Sequence, residues 1–277
     1  MKVLYCIACE SDAGPQLSLG QILGTLEPGG ESTLLHVLGR GEDHKAAESC
    51  LARARAKLTA GVIETKVRRG DPFSEILAEV EDSGVDLLVL GPSEAPGLRR
   101  DVLGSVTTQV IRRVPSSVLV ARQTRSSLKR ILIGSSGADV ADSVIETGAR
   151  IARSQGASAT LMHVLTSAPS FGRGPDLLSL SLTELLQTDT PVARHLRNGA
   201  EILRQHQVPA ELRVRYGVVS DEMIREARRG ENDLILLGAA KGRPPAGRFM
   251  LGDVTEQVVE RAPMSVLIVR DSLCDTS

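Results

Sequence analysis

Aromatic side chains are nearly missing from this chain of 277 residues, which has two tyrosines, three phenylalanines and no tryptophan. Platforms that stack nucleic-acid bases need such rings, so that mode of binding is not expected. Net charge is also missing: the formal balance is −1 at pH 7. An anionic partner such as nucleic acid or an acidic membrane surface gains nothing from so even a balance. No apolar run approaches the roughly 18 residues that read as a membrane helix. The four cysteines do not read as a secreted disulfide framework. The first residues, Met1-Lys2-Val3-Leu4, run directly into a strand pattern with no signal-peptide features, so the cytoplasm is the expected compartment.

What is present is a duplication. Asp86–Arg122 reads DLLVLGPSEAPGLRRDVLGSVTTQVIRRVPSSVLVAR, and Asp233–Arg270 reads DLILLGAAKGRPPAGRFMLGDVTEQVVERAPMSVLIVR. Both contain a buried strand, a glycine-punctuated loop, a helix and a second buried strand. Earlier landmarks pair in the same way: Val3 with Ile131, His36 with His163, and Gly70 with Gly217. The spacing between the copies grows by about twenty residues between His163 and Gly217, which marks an insertion near 166–190. That insertion opens Gly/Pro-rich and continues LLSLSLTELL, apolar enough for a helix, a lid or a partner patch.

Each copy alternates five short apolar strands with amphipathic helices. This predicts α/β architecture: two doubly wound, five-stranded parallel sheets, each covered by helices on both faces. The domains span 1–123 and 129–272, with the polar stretch Gln123–Lys129 as linker. Asp71 is read as the cap of a helix that begins at Pro72 and stops at Gly84. Ser220 is read as the matching cap in the second copy. Ligands of such sheets bind beyond the carboxyl ends of the strands, where strand order reverses. Both glycine loops leave from that edge. A strand-to-helix glycine loop offers unpaired N–H groups and the positive end of a helix dipole to a phosphate.

Other motifs carry less. Cys6 and Cys9 have C-x-x-C spacing, but positions i and i+3 of a strand point to opposite faces, which opposes redox or metal chemistry. His36 and His163 occupy equivalent internal strand positions and read as satisfied structural imidazoles. Met162, Met223 and Met264 read as core. No nucleophile elbow, Walker loop or four-ligand zinc spacing is found.

The ordered recurrence of KVLYCIA and RILIGSS, STLLHVL and ATLMHVL, RRGDPFSEIL and RYGVVSDEMI, and the two terminal units resembles the universal stress protein family. The match covers both halves. The resemblance implies pairing of domains through their last strands, Ser117–Arg122 and Ser265–Arg270, which within one chain gives an intramolecular pseudo-dimer; further homodimerisation stays open. It also implies an adenine nucleotide, ATP or AMP, with Mg alongside, in those members whose loop has the form G-x2-G-x9-G-[S/T].

Neither loop fits that form cleanly. In the first, Gly91 precedes Pro92, which has no N–H donor, and Glu94 replaces the second glycine, although Gly104-Ser105 is kept. Ala8 stands where the family usually has an aspartate. In the second, Gly238 and Gly242 are one residue too far apart, Asp253 follows Gly252, and Ser136 takes the acidic position. An aspartate there caps a helix well and repels phosphate. Lys241, Arg243 and Arg248 supply compensating cations.

The resemblance therefore assigns the nucleotide mainly to the second copy: Ser136, Val164, Gly238, Lys241, Gly242, Arg243, Arg248, Gly252, Asp253 and Val254. Gly91, Gly104 and Ser105 form the weaker first site, with Val37 beside the base. The expected role is a stress-associated regulatory binding protein. No catalytic residue is assigned, and no base or metal-ligand set supports more than slow ATP hydrolysis. The alternatives are an interaction module of the same fold that has lost nucleotide binding and, less well supported, a nucleotide-dependent enzyme such as a nucleotidyl transferase.

Overall fold

The computed structural model describes residues 1–9, 13–27, 29–59, 61–91, 104–135, 141–166, 180–239 and 253–270. In the first half the order is β1 (Lys2–Cys6), α1 (Gly14–Gly24), β2 (Glu31–Leu38), α2 (His44–Arg55), β3 (Val62–Arg69), α3 (Pro72–Ser83), β4 (Leu87–Leu90), α4 (Ser105–Arg113) and β5 (Ser117–Val120). The second half has β6 (Arg130–Ser135), α5 (Ala141–Gln155), β7 (Ser158–Leu165), α6 (Leu182–Gln187), α7 (Pro191–Gln205), β8 (Ala210–Tyr216), α8 (Val219–Arg229), β9 (Leu234–Gly238), α9 (Asp253–Arg261) and β10 (Ser265–Val269).

The ten strands among the described residues form one sheet, in the order β3-β2-β1-β4-β5-β10-β9-β6-β7-β8. Pairing is parallel within each half. At the centre β5 and β10 run antiparallel, with Leu119 opposite Leu267. The two halves therefore point their carboxyl edges in opposite directions.

Alternation along the strands divides the core between the two faces. Val3 and Tyr5 of β1, Leu34 of β2, and Leu87 and Val89 of β4 bury on one face. Leu4, Leu35, Leu88 and Leu90 bury on the other. The central strands β4, β5 and β10 are buried along their whole length, as sheets covered on both sides require. The outermost strands, β3 (VIETKVRR) and β8 (AELRVRY), carry the charges that keep an edge from recruiting another strand.

The repeat extends to single hydrogen bonds. Asp86 Oδ2 accepts from the Lys2 backbone N–H at 2.7 Å, and Asp233 Oδ2 accepts from Arg130 N–H at 3.1 Å. Each aspartate fastens the start of its half's first strand. At the sheet edges, fully buried Glu79 of α3 meets Lys66 at 2.9 Å and Arg68 at 2.6 Å. Its counterpart Glu226 meets Arg215 at 2.6 Å.

One local expectation needs correction. Asp71 does cap α3, accepting from Ser74 N–H, and Gly84 ends that helix at φ 59°. Ser220, however, is not a cap. Val218, which has no capping side chain, precedes α8. Ser220 lies inside the first turn, fully buried, and its hydroxyl bonds Gln257 of α9 at 2.7 Å. Of the insertion, 180–190 is described. Ser181 begins α6 with a reciprocal capping box to Glu184, and Leu185 is buried against the second half's own core.

Candidate functional site

Strand order reverses at β1 in the first half, since β2 lies on one side and β4 on the other. A cavity of about 290 Å³ opens there, at the carboxyl ends of these strands. Its floor is Cys6–Cys9. Leu35, His36 and Val37 of β2 and Leu90-Gly91 after β4 form the walls, with Ile76 of α3 and Val106 and Thr107 of α4. Ligand clefts span about 300–1,000 Å³, so this cavity stands at the small end of that range.

Glu42 opposes a phosphate here, and Gln16 takes the space beside Gly91. Gln16 of α1 is buried and its amide lies directly on Gly91; a side chain at Gly91 would collide with it. The early glycine of the loop thus supports a glutamine. Glu42 brings a carboxylate to the cavity and bonds His36 Nε2 at 3.2 Å. A hydrogen bond from the Gly39 backbone, with help from His36, holds the Glu42 carboxyl below its ordinary range, so it is ionised. Ala8 provides no polar group toward a ribose. Val37 lines the cavity, Gly104 is the cap residue of α4, and Ser105 is exposed on that helix's first turn.

The two strand histidines are structural. His36 Nδ1 donates to the Ile7 carbonyl at 2.7 Å, and His163 Nδ1 donates to the Ser135 carbonyl at 3.1 Å. Burial pushes the His163 imidazole below its usual pKa, and nearby His195 adds to this. His195 is itself held down by burial. The His163 and His195 rings are therefore neutral at pH 7.

The corresponding edge of the second half is packed differently. Gly134 stands where the first half has Cys6, and Met223 where it has Ile76. The Met223 and Leu237 side chains fill the space that a side chain at Gly134 would need, at 2.8 and 2.6 Å. Val164 is buried beside them. Gly238 ends β9, and its carbonyl accepts from Thr255 Oγ1 at 3.4 Å. Asp253 is the first residue of α9 rather than its cap, and both it and Val254 are exposed. The structure thus brings Val164, Gly238, Asp253 and Val254 to one sheet edge. Ser136, Lys241, Gly242, Arg243, Arg248 and Gly252 lie outside the described residues. Among the described residues, no group of three or more His, Cys, Asp or Glu is arranged to hold a metal.

Sequence reasoning missed Gln16, Glu42 and above all a disulfide, Cys9–Cys50, which joins residues 41 apart with Cα atoms at 5.8 Å. Cys6 and Cys9 do face opposite sides of the sheet, Cys6 packing on one core and Cys9 on the other. The partner of Cys9 is instead on α2, and no spacing rule points to it.

The profile of the universal stress protein family matches twice, over residues 11–122 and 127–270. The chain belongs to the universal stress protein family. Two universal stress proteins each align with about half of this chain. One from Methanocaldococcus jannaschii is 25% identical over 151 residues, 54% of this chain and 87% of that protein. One from Methanothermobacter thermautotrophicus is 25% identical over 142 residues, 51% of this chain and 95% of the relative. Solved structures match the full tandem arrangement. A protein of unknown function from Pseudomonas aeruginosa superposes with TM-score 0.72 at 19% identity, covering 97% of this chain and 92% of its own. A universal stress protein from Archaeoglobus fulgidus does so with TM-score 0.64 at 18% identity, covering 97% and 96%. At these identities the structural likeness concerns the fold. No helix among the described residues is long and apolar enough to cross a membrane.

Proposed function

We propose that this tandem universal stress protein is a regulatory binding protein, not a dedicated enzyme, that takes an adenine nucleotide at the carboxyl edge of its second half. The observation that carries the reading is the contrast between the two edges. In the first half, Gln16 covers Gly91 and an ionised Glu42 faces the cavity, so the residues present do not fit a triphosphate. In the second half, the segment between Gly238 and Asp253 joins the end of β9 to the start of α9 at the strand-order reversal between β6 and β9. That segment carries Lys241, Arg243 and Arg248. Charge-assisted contacts from such cations, with the N-terminus of α9, are the donors a phosphate would use. Mg would accompany the phosphates, and hydrolysis would be slow at most. The antiparallel β5–β10 seam supports treating the two halves as an intramolecular dimer, divided within 123–129. We place the protein in the cytoplasm.

Thermal unfolding of the whole chain during an ATP titration tests this. Ligand at 100 times its Kd stabilises by about 2.7 kcal/mol. Gly252→Ala is expected to abolish the shift and Gly104→Ala to leave it; the reverse pattern would move the site to the first half. Mass spectrometry of nucleotide released from the purified protein identifies the ligand. No shift at millimolar ATP would favour the second reading, an interaction module, which the Gln16-covered Gly91 of the first half and the α6 insertion also suit.

A further inference from the structure

Cys9 lies just beyond β1, partly exposed, among the residues that line the first-half cavity. Its partner Cys50 is on α2, only 8% exposed and packed with Val3, Tyr5 and Leu51. The bond therefore ties the cavity floor to the helix that covers one face of the sheet. We propose that Cys9–Cys50 is a thiol–disulfide exchange site for a dithiol reductant, and that its redox state sets how firmly the first-half cavity is held.

Three observations carry this. The two sulfurs are unequal: Cys9 borders the open cavity and Cys50 does not, so an incoming thiolate has one approach. The third cysteine, Cys6, faces the other core, and burial with the nearby Glu79 charge raises its thiol to about 12. A neutral thiol is a poor nucleophile, so exchange from Cys6 does not compete with an external reductant. Finally, the repeat provides a control. Gly137 stands where the first half has Cys9, so the second half keeps the same fold without the bond. Disulfides that form in a reducing cytoplasm are usually transient or redox-sensing.

The chemistry closes with a dithiol alone. A thiolate of the reductant attacks Cys9 Sγ, the Cys9–Cys50 bond breaks, and the electron pair leaves on Cys50 Sγ, which takes a proton from solvent. The reductant's second thiol then attacks the mixed disulfide, releases Cys9 as a thiol, and leaves as a disulfide. Two electrons pass to the protein.

The test uses the full chain without denaturant, equilibrated across ratios of reduced to oxidised dithiothreitol, alkylated and mapped by peptide mass. The linked Cys9 and Cys50 peptides are expected to convert reversibly to the alkylated forms while Cys6 stays unlabelled. Backbone hydrogen exchange at Ile7–Cys9 and along α2 should quicken about tenfold on reduction, with the second half unchanged. Cys6→Ser should keep this response. Cys50→Ser should show the fast exchange in every buffer; should it fail to fold, the wild-type exchange data decide alone. A bond that opens only in denaturant, cysteines that stay thiols under oxidant, or opening with no change in exchange would each overturn the proposal.

Discussion

Glu79 is fully buried and charged. Burial alone would raise its pKa, but hydrogen bonds from Ser83, Lys66 and Arg68 more than offset this and hold the carboxyl below its ordinary value. A depressed folded pKa stabilises the protein above the unfolded value, about 4.3, and that contribution is lost as pH falls through the folded value. Glu79→Gln is expected to cost about 2 kcal/mol in a denaturant titration at pH 7, less than for a fully enclosed pair because Lys66 and Arg68 reach water. His163 and His195 act in a higher window. Both folded pKa values lie below the ordinary 6.5, so stability present above about 6.5 is lost as pH drops below it. Denaturation midpoints between pH 8 and 5 should decline from about 6.5 downward, and His195→Gln should flatten that decline. Residue-scale features were partly legible in advance. Asp71 as cap follows from its side chain, but Ser220 misled because the position equivalent to Asp71 is Val218, and a hydroxyl two residues later is spent on Gln257.

At the scale of elements, strands were read better than contacts between helices. Leu87–Leu90 is an uninterrupted apolar run with turn residues on either side, and it forms a strand over those residues. Period and punctuation act locally, so one copy and its repeat check each other. The joining of β1 to α2 is not local. Cys9 and Cys50 meet only because the chain returns after 41 residues, and the nearer Cys6 draws attention to the wrong pair. Closing a loop of that length stabilises by about 4 kcal/mol in the chain-entropy account. Cys50→Ser should therefore lower the unfolding free energy by up to that amount, measured against oxidised wild type. The wild type under dithiothreitol should fall by a similar amount.

At the scale of the whole molecule the decisive feature is the β5–β10 seam. Val118, Leu119 and Val120 face Val266, Leu267 and Ile268, all fully buried. The seam is fastened by reciprocal bonds: Arg270 N–H to Ser117 Oγ at 2.9 Å, Arg122 N–H to Ser265 Oγ at 3.0 Å, and each arginine's guanidinium to a carbonyl of the opposite half. Burial pulls the Arg270 pKa down to about 10, still charged at neutral pH. Periodicity alone yields two sheets; only the family resemblance suggested that they join end to end, since a strand's partner across a domain boundary leaves no trace in its own pattern. Chains cut within 123–129 are expected to co-purify as a one-to-one complex when co-expressed, and light scattering after size exclusion should show each half alone self-associating. Two stable monomers would contradict the seam's importance.

A homodimer built on such a seam must use one sequence for both of its members, so every substitution is made twice. Fusion removes that constraint. Here Cys6 with Ile76 answers Gly134 with Met223, and a covalent staple exists on one side only. Each copy is free to drift toward its own chemistry while its sister supplies an unchanging wall, so the linker is what makes division of labour heritable.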